Sequence, residues 1–71
     1  MRRRHVDSSA ISSVGYDEGS SVLEVEFSSG AIYDYYEVPS KVYQDLLNAA
    51  SIGSFISHRV RDRYPFVRRD H

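Results

Sequence analysis

The sequence has no cysteine, which excludes disulfide bonds and any zinc site built from cysteine ligands. It has no tryptophan, and no apolar run approaches the ~18 residues that a membrane-spanning helix requires. The arginine-rich start lacks the apolar segment of a secretory signal peptide. These absences predict a cytoplasmic protein that makes no contact with a membrane.

Residue types that could carry catalysis are present but not in catalytic patterns. The three histidines do not have metal-ligand spacing, the serines lie outside nucleophile motifs, and the four glycines form no phosphate-binding loop. Glu24 and Glu26 share one side of a strand, where two carboxylates favour solubility over acid–base chemistry. A chain this small also has little room for a pocket of about 300 Å³, the lower limit for ligand sites. We therefore expect no enzyme activity, no metal and no cofactor.

Charge is distributed unevenly, although the formal net charge is only -1. Acidic residues dominate the middle of the chain, where Lys41 is the one base, and arginines cluster towards both ends. This asymmetry indicates an anionic partner or, alternatively, a solvated arm and a soluble helix face. The candidate nucleic-acid-binding residues are Arg2, Arg3, Arg4, Arg59, Arg61, Arg63, Arg68 and Arg69.

The chain is long enough for one domain with a thin core. Residues 1–8 are predicted to form a flexible basic arm, residues 9–67 the domain, and residues 68–71 a tail. A short strand is expected over about residues 11–16. Residues 22–27 alternate between apolar and acidic side chains, which is typical of a strand with one buried face.

The turn at Gly30 determines which way the next strand faces. A two-residue loop would place Asp34 among core residues, which is costly without a partner. A three-residue loop with Gly30 in the left-handed region pairs Val25 with Tyr33 and Leu23 with Tyr35, and it keeps one face apolar. We favour the second register, although it brings Glu24 close to Asp34.

Pro39 is expected to end the third strand and to suit the first turn of a helix. Apolar residues then recur at helical spacing from Val42 to Ala50. Gly53 is a candidate to close this helix, and Ser51 or Ser54 to cap a second helix that ends near Arg61 or Asp62. The expected fold is α+β, a three-stranded antiparallel meander followed by two short helices on one face (β-β-β-α-α).

The pattern resembles the KTSC domain, a module named for the C-terminus of some lysyl-tRNA synthetases. The similar residues span about 9–66 and include Gly30, Tyr33-x-Tyr35, Val38-Pro39 and Ser51-x-Gly53. The resemblance implies the same fold, and it implies RNA binding because the module is attached to a tRNA-charging enzyme. One departure is Ile56-Ser57, where many members have an aromatic residue and an asparagine.

Two functions follow from these observations. The first is a non-enzymatic binding module for RNA, such as tRNA, that uses the Arg59–Arg69 region and the Arg2–Arg4 arm. The second is a protein-interaction domain that acts through an open sheet edge or by self-association. Tyr33 and Tyr35 could stack on bases, but the favoured register turns both rings towards the helices. The acidic outer side of the sheet would repel phosphate.

Overall fold

A computed structural model describes residues 3–69, so Met1, Arg2, Asp70 and His71 lie outside the described residues. Within residues 3–69 the fold is α+β, with five antiparallel strands in the order β1-β2-β3-β4-β5 and two helices. The elements are β1 (Arg4–His5), β2 (Ile11–Asp17), β3 (Val22–Phe27), β4 (Ile32–Tyr35), α1 (Ser40–Leu47), α2 (Ile52–Phe55), which continues as a π-helical segment (Ile56–Val60), and β5 (Phe66–Arg69). No helix in this range has the length and apolar character needed to cross a membrane.

The expectation of three strands is wrong, because segments outside the meander add a strand at each edge. Arg4 and His5 pair with Val14 and Ser13 and form β1. Residues 66–69 return alongside β4, where Phe66 lies opposite Tyr35, and form β5. Both additions satisfy backbone groups of β2 and β4 that a three-stranded sheet would leave at its edges.

The predicted register of the β3–β4 hairpin is confirmed. Leu23 pairs with Tyr35 and Val25 with Tyr33. The backbone N–H of Phe27 donates to the Ala31 carbonyl over 2.9 Å, and Gly30 adopts a φ of +98°. The turn therefore holds three residues, and both tyrosine rings point to the same side of the sheet as the buried side chains of β3.

The two faces of the sheet differ in chemistry. The inner face, which carries Leu23 and Val25, packs against the helices, and its fully buried partners there include Leu46, Ile56 and Val60. The helix α1 also stacks the ring of Tyr43 on that of Tyr16. The outer face, which carries Glu24, Glu26 and Asp34, has no helix over it among the described elements.

The structure decides four expectations about the helix region. The third strand ends at Tyr35 rather than at Pro39, because Glu37 takes a positive φ of 59° that breaks the ladder. Pro39 is the N-cap residue of α1. Gly53 does not close α1. It lies inside α2, where a Cβ atom would come 3.5 Å from that of Ala10. The hydroxyl of Ser51 caps α2 by accepting from the backbone N–H of Ser54.

Candidate functional site

A cleft lies at the inner face, between β4 and β5 on one side and the π-helical segment on the other. Its volume is about 370 Å³, so the expectation that the chain has little room for a pocket of about 300 Å³ is wrong. The short helix does not extend across the whole sheet, and the added strand β5 widens the inner face beyond it. The lining residues are Ala10, Phe27, Ser29, Ala31, Tyr33, Tyr35, Ile56, Ser57, Arg61 and Arg68.

Aromatic rings form one wall of the cleft. The rings of Tyr33 and Tyr35 are stacked with centroids 6.2 Å apart, and Phe27 meets Tyr33 edge-on at 5.3 Å. Phe66 contacts both tyrosines, at 5.4 and 5.7 Å, while 51% of its surface stays exposed. The alternation of β4 and β5 produces this arrangement, because residues two apart share a face. The wall therefore consists of Phe27, Tyr33 and Tyr35, and Phe66, which does not line the cleft, extends this group of rings to the solvent.

The Tyr35 hydroxyl is held in its protonated form. Burial raises the pKa of Tyr35 above its ordinary value, and Tyr33 and Asp62 act in the same direction while the charge of Arg61 opposes them. A protonated phenol can donate a hydrogen bond as well as accept one. The base of the cleft thus offers a neutral donor beside a cationic side chain.

The structure brings two of the predicted arginines to this cleft. Arg61 follows the π-helical segment, and Arg68 lies on β5 opposite Tyr33. Guanidinium groups pair with phosphate or carboxylate through two parallel hydrogen bonds. Together with the hydroxyls of Tyr33 and Ser57, the two arginines give the cleft a polar side that suits an anionic ligand.

The other predicted arginines within residues 3–69 lie elsewhere. Arg59 belongs to a separate shallow groove, with its guanidinium 5.9 Å from the centroid of the Phe55 ring. Arg63 is exposed in the turn that follows the helix, and Arg4 is exposed on β1 beside Ala49. Residues two apart on an α-helix, as Arg59 and Arg61 are in the sequence, point about 200° apart, which separates the two side chains. Arg2 lies outside the described residues.

Arg3 and Arg69 lie at the outer face, where they pair with the carboxylates that the hairpin brings together. Arg3 Nε is 3.1 Å from Oε1 of Glu24. Arg69 pairs with Glu24 as well, and its Nε is 3.0 Å from Oδ2 of Asp34. These ion pairs leave Glu24 only 8% exposed. The prediction of an acidic outer face is therefore incomplete, because Arg69 of β5 and Arg3, which precedes β1, compensate the charges of Glu24 and Asp34.

Sequence reasoning did not assign Phe66 or Ser57 to a site. Phe66 and Arg68 are two residues apart, as are Val67 and Arg69, and this period would place Phe66 with Arg68 on one face of a strand. The Tyr64-Pro65 pair before them obscures that signal, since proline favours a turn or a sheet edge. Ser57 carries no such signal, because its position depends on how the second helix crosses the sheet.

Comparison with known proteins finds one family. A model of the KTSC domain matches residues 7–64. A protein of Tsukamurella paurometabola is 48% identical over 62 residues, which is 87% of this chain and 92% of the relative. An uncharacterized protein of Stutzerimonas stutzeri is 53% identical over 53 residues, or 75% of each chain. The crystal structure of a KTSC domain protein from Yersinia pestis superimposes with a TM-score of 0.94, at 30% identity over 97% of both chains.

A larger enzyme contains a related segment. The lysine–tRNA ligase of Nostoc punctiforme is 33% identical over 60 residues, which cover 84% of this chain but 11% of the ligase. This chain therefore corresponds to a small part of that enzyme and not to the whole of it.

Proposed function

The chain belongs to the KTSC domain family, and from that premise we propose that it is a non-enzymatic binding module for single-stranded RNA. The cleft between β4, β5 and the second helix is the proposed binding site. The related segment in a lysine–tRNA ligase supports an RNA partner, because the name of that enzyme includes tRNA as a substrate. The absence of a nucleophile motif from the sequence supports a binding role.

The observation that carries the proposal is the meeting of aromatic rings and guanidinium groups in one cleft. Tyr33 offers ring surface inside the cleft, and Arg61 and Arg68 offer cationic donors there. Phe66 does not line the cleft, but its ring packs against that of Tyr33. Stacking of a base on an aromatic side chain contributes about 1–3 kcal/mol, and arginine contacts to phosphate add affinity that depends on salt. An unstacked base fits the aromatic wall of the cleft, and its phosphate fits the polar side that carries the arginines.

The outer face is a weaker candidate for RNA. Arg3 and Arg69 are engaged by Glu24 and Asp34 there. A phosphate would have to compete with carboxylates that already lie within hydrogen-bonding distance of these guanidinium groups. This competition weakens the outer face as a site for RNA.

The test is a salt titration of binding to a short single-stranded RNA. For single strands the slope of log affinity against log salt is about −0.7 for each neutralised phosphate, so Arg61→Gln/Arg68→Gln should reduce its magnitude by about 0.7 when both guanidinium groups contact one phosphate. Arg63→Gln is the matched control, because Arg63 is only two residues from Arg61 in the sequence and does not line the cleft. A wild-type protein that fails to bind RNA at low salt, or a slope that the double variant leaves unchanged, contradicts the proposal.

A second candidate function is protein interaction through β5. This strand is an edge of the sheet among the described residues, and its large apolar side chains Phe66 and Val67 are 51% and 53% exposed. Exposed edge strands recruit other strands through their free backbone groups. A mass of twice the monomer that returns to one monomer in Val67→Lys would favour this candidate, and a monomer at all concentrations would count against self-association.

A further inference from the structure

We propose, on the basis of the RNA-binding function above, that the cleft takes one nucleotide that carries a terminal phosphate. The ligand is then the phosphorylated end of an RNA strand or a free nucleoside monophosphate, which share this chemistry. The inference rests on the size of the cleft, on its charge and on the position of its aromatic wall.

The size of the cleft limits what can enter it. At about 370 Å³ it lies near the lower end of ligand pockets, which occupy roughly 300–1,000 Å³. That volume matches a single nucleotide. Ala10 and Ala31, which immediately precede β2 and β4, also line the cleft.

The charge of the cleft favours a monoester over a diester. Arg61 and Arg68 both line it, and each guanidinium can make two parallel hydrogen bonds to phosphate oxygens. A terminal phosphate carries about 1.5 to 2 negative charges at pH 7 and has three free oxygens, whereas an internal phosphate carries about one charge and has two. Two arginines are therefore better matched by a strand end than by the middle of a strand.

The aromatic wall orients the rest of the nucleotide. Tyr35 lies at the buried end of the wall and keeps its proton, so that end provides a hydrogen-bond donor. Tyr33 lines the cleft and is only partly buried, so its ring is available to a stacked base. A phosphate near the arginines with a base against Tyr33 uses the cationic side and the aromatic wall at once.

The experiment compares four ligands by titration calorimetry on the full chain. These are a short single-stranded RNA with a 5′ phosphate, the same RNA with a 3′ phosphate, the same RNA with hydroxyl ends, and adenosine monophosphate. We expect at least one phosphorylated RNA to bind at least about tenfold more tightly than its hydroxyl-ended form, because charge-assisted hydrogen bonds to the additional charge are strong. In Arg61→Gln/Arg68→Gln that preference should disappear, whereas in Arg63→Gln it should persist.

The outcomes separate this inference from the proposed function. Equal affinity for phosphorylated and hydroxyl-ended RNA overturns the inference and leaves RNA binding intact. If adenosine monophosphate binds as tightly as phosphorylated RNA, the cleft is a site for a single phosphorylated nucleotide. The ligand is then a free nucleotide, and this result counts against the RNA function. If no RNA and no nucleotide binds, both proposals are overturned. Circular dichroism of each variant establishes that a loss of binding is not a loss of folding.

Discussion

Individual residues owe their importance to different physical causes. Gly30 matters for its backbone, since its φ of +98° lies in the region that other residues rarely adopt. Glu24 matters for its charge, which is buried on the outer face between two arginines. Tyr35 matters for both its ring and its hydroxyl, because it packs in the core and borders the cleft. Two of these causes give predictions at this scale.

We expect Gly30→Ala to lower the free energy of unfolding by about 1–2 kcal/mol, the usual cost of a left-handed conformation for a residue with a Cβ atom. No atom outside its two neighbours lies within 4 Å of the position the new Cβ would take, so backbone strain alone is tested. Urea unfolding measures the change. Gly19→Ala, in the preceding turn, is the control and should change stability by less than about 0.5 kcal/mol. Equal effects at the two glycines would contradict the explanation.

The raised pKa of Tyr35 predicts an alkaline loss of stability. A hydroxyl whose pKa is higher in the folded state than in the unfolded state stabilises the protein fully below the unfolded value, here 10.0, and the contribution is lost as the pH rises through the folded value. Relative to Tyr35→Phe, the wild type should therefore lose up to about 1.4 kcal/mol for each pH unit in that interval. The contributions of the other tyrosines cancel in this comparison. Parallel stability curves for the two proteins above pH 10 would show that the environment of Tyr35 has no such effect.

Elements differ in how well the sequence predicts them. The β3–β4 hairpin is predicted in register because a shift by one residue would bury Asp34 and expose Tyr33. The strand β5 is not predicted, since Phe66-Val67-Arg68-Arg69 places one apolar and one basic side chain on each face and so has no apolar alternation. The strand β1 contains only two residues, and both are exposed. The sequence therefore has no apolar–polar alternation there from which the strand could be predicted.

The strand β5 is attached through the ion pairs of Arg69 as well as through the backbone, which leads to the third prediction. Arg69→Met should reduce the free energy of unfolding by about 1–3 kcal/mol, because it removes a partner from the nearly buried Glu24 and from Asp34. Lys41→Met is the control. It breaks an ion pair with Asp45 that is largely exposed, and such pairs contribute about 0–1 kcal/mol.

Chemical denaturation of both variants and of Glu24→Gln/Arg69→Met completes the measurement. The double variant should regain part of the lost stability, because the unpaired charge is removed together with its partner. A cost for Arg69→Met no greater than that for Lys41→Met would show that the outer ion pairs do not hold β5.

At the scale of the whole molecule, the cleft exists only when distant parts of the chain meet. Arg61 and Arg68 are separated by the turn that leads into β5, and Phe27 is the last residue of β3. The sequence supplies the arginines and the aromatic residues but does not indicate which of the eight arginines share a site. That selection depends on the side to which β5 turns each residue and on where the second helix ends.

A fourth prediction concerns residues 1–5, which the sequence suggested to be part of a flexible arm that adds affinity. The structure pairs Arg4 and His5 with β2 and places Arg3 on Glu24, away from the cleft. Deletion of residues 1–5 should therefore lower the free energy of unfolding by more than about 1 kcal/mol, as expected for loss of a buried charge partner, and leave affinity for a phosphorylated RNA unchanged. Thermal unfolding and calorimetry measure the two quantities. A truncated protein of full stability and reduced affinity would favour the arm instead.

Glu24 accepts one arginine that comes before β1 and another from β5, so a single carboxylate joins the two opposite ends of the described chain. The two ends therefore share one anionic partner, and opening of the structure at one end should loosen the other. Amide hydrogen exchange in residues 66–69 should therefore accelerate when Arg3 is replaced, even though three strands, β2, β3 and β4, lie between β1 and β5 in the sheet.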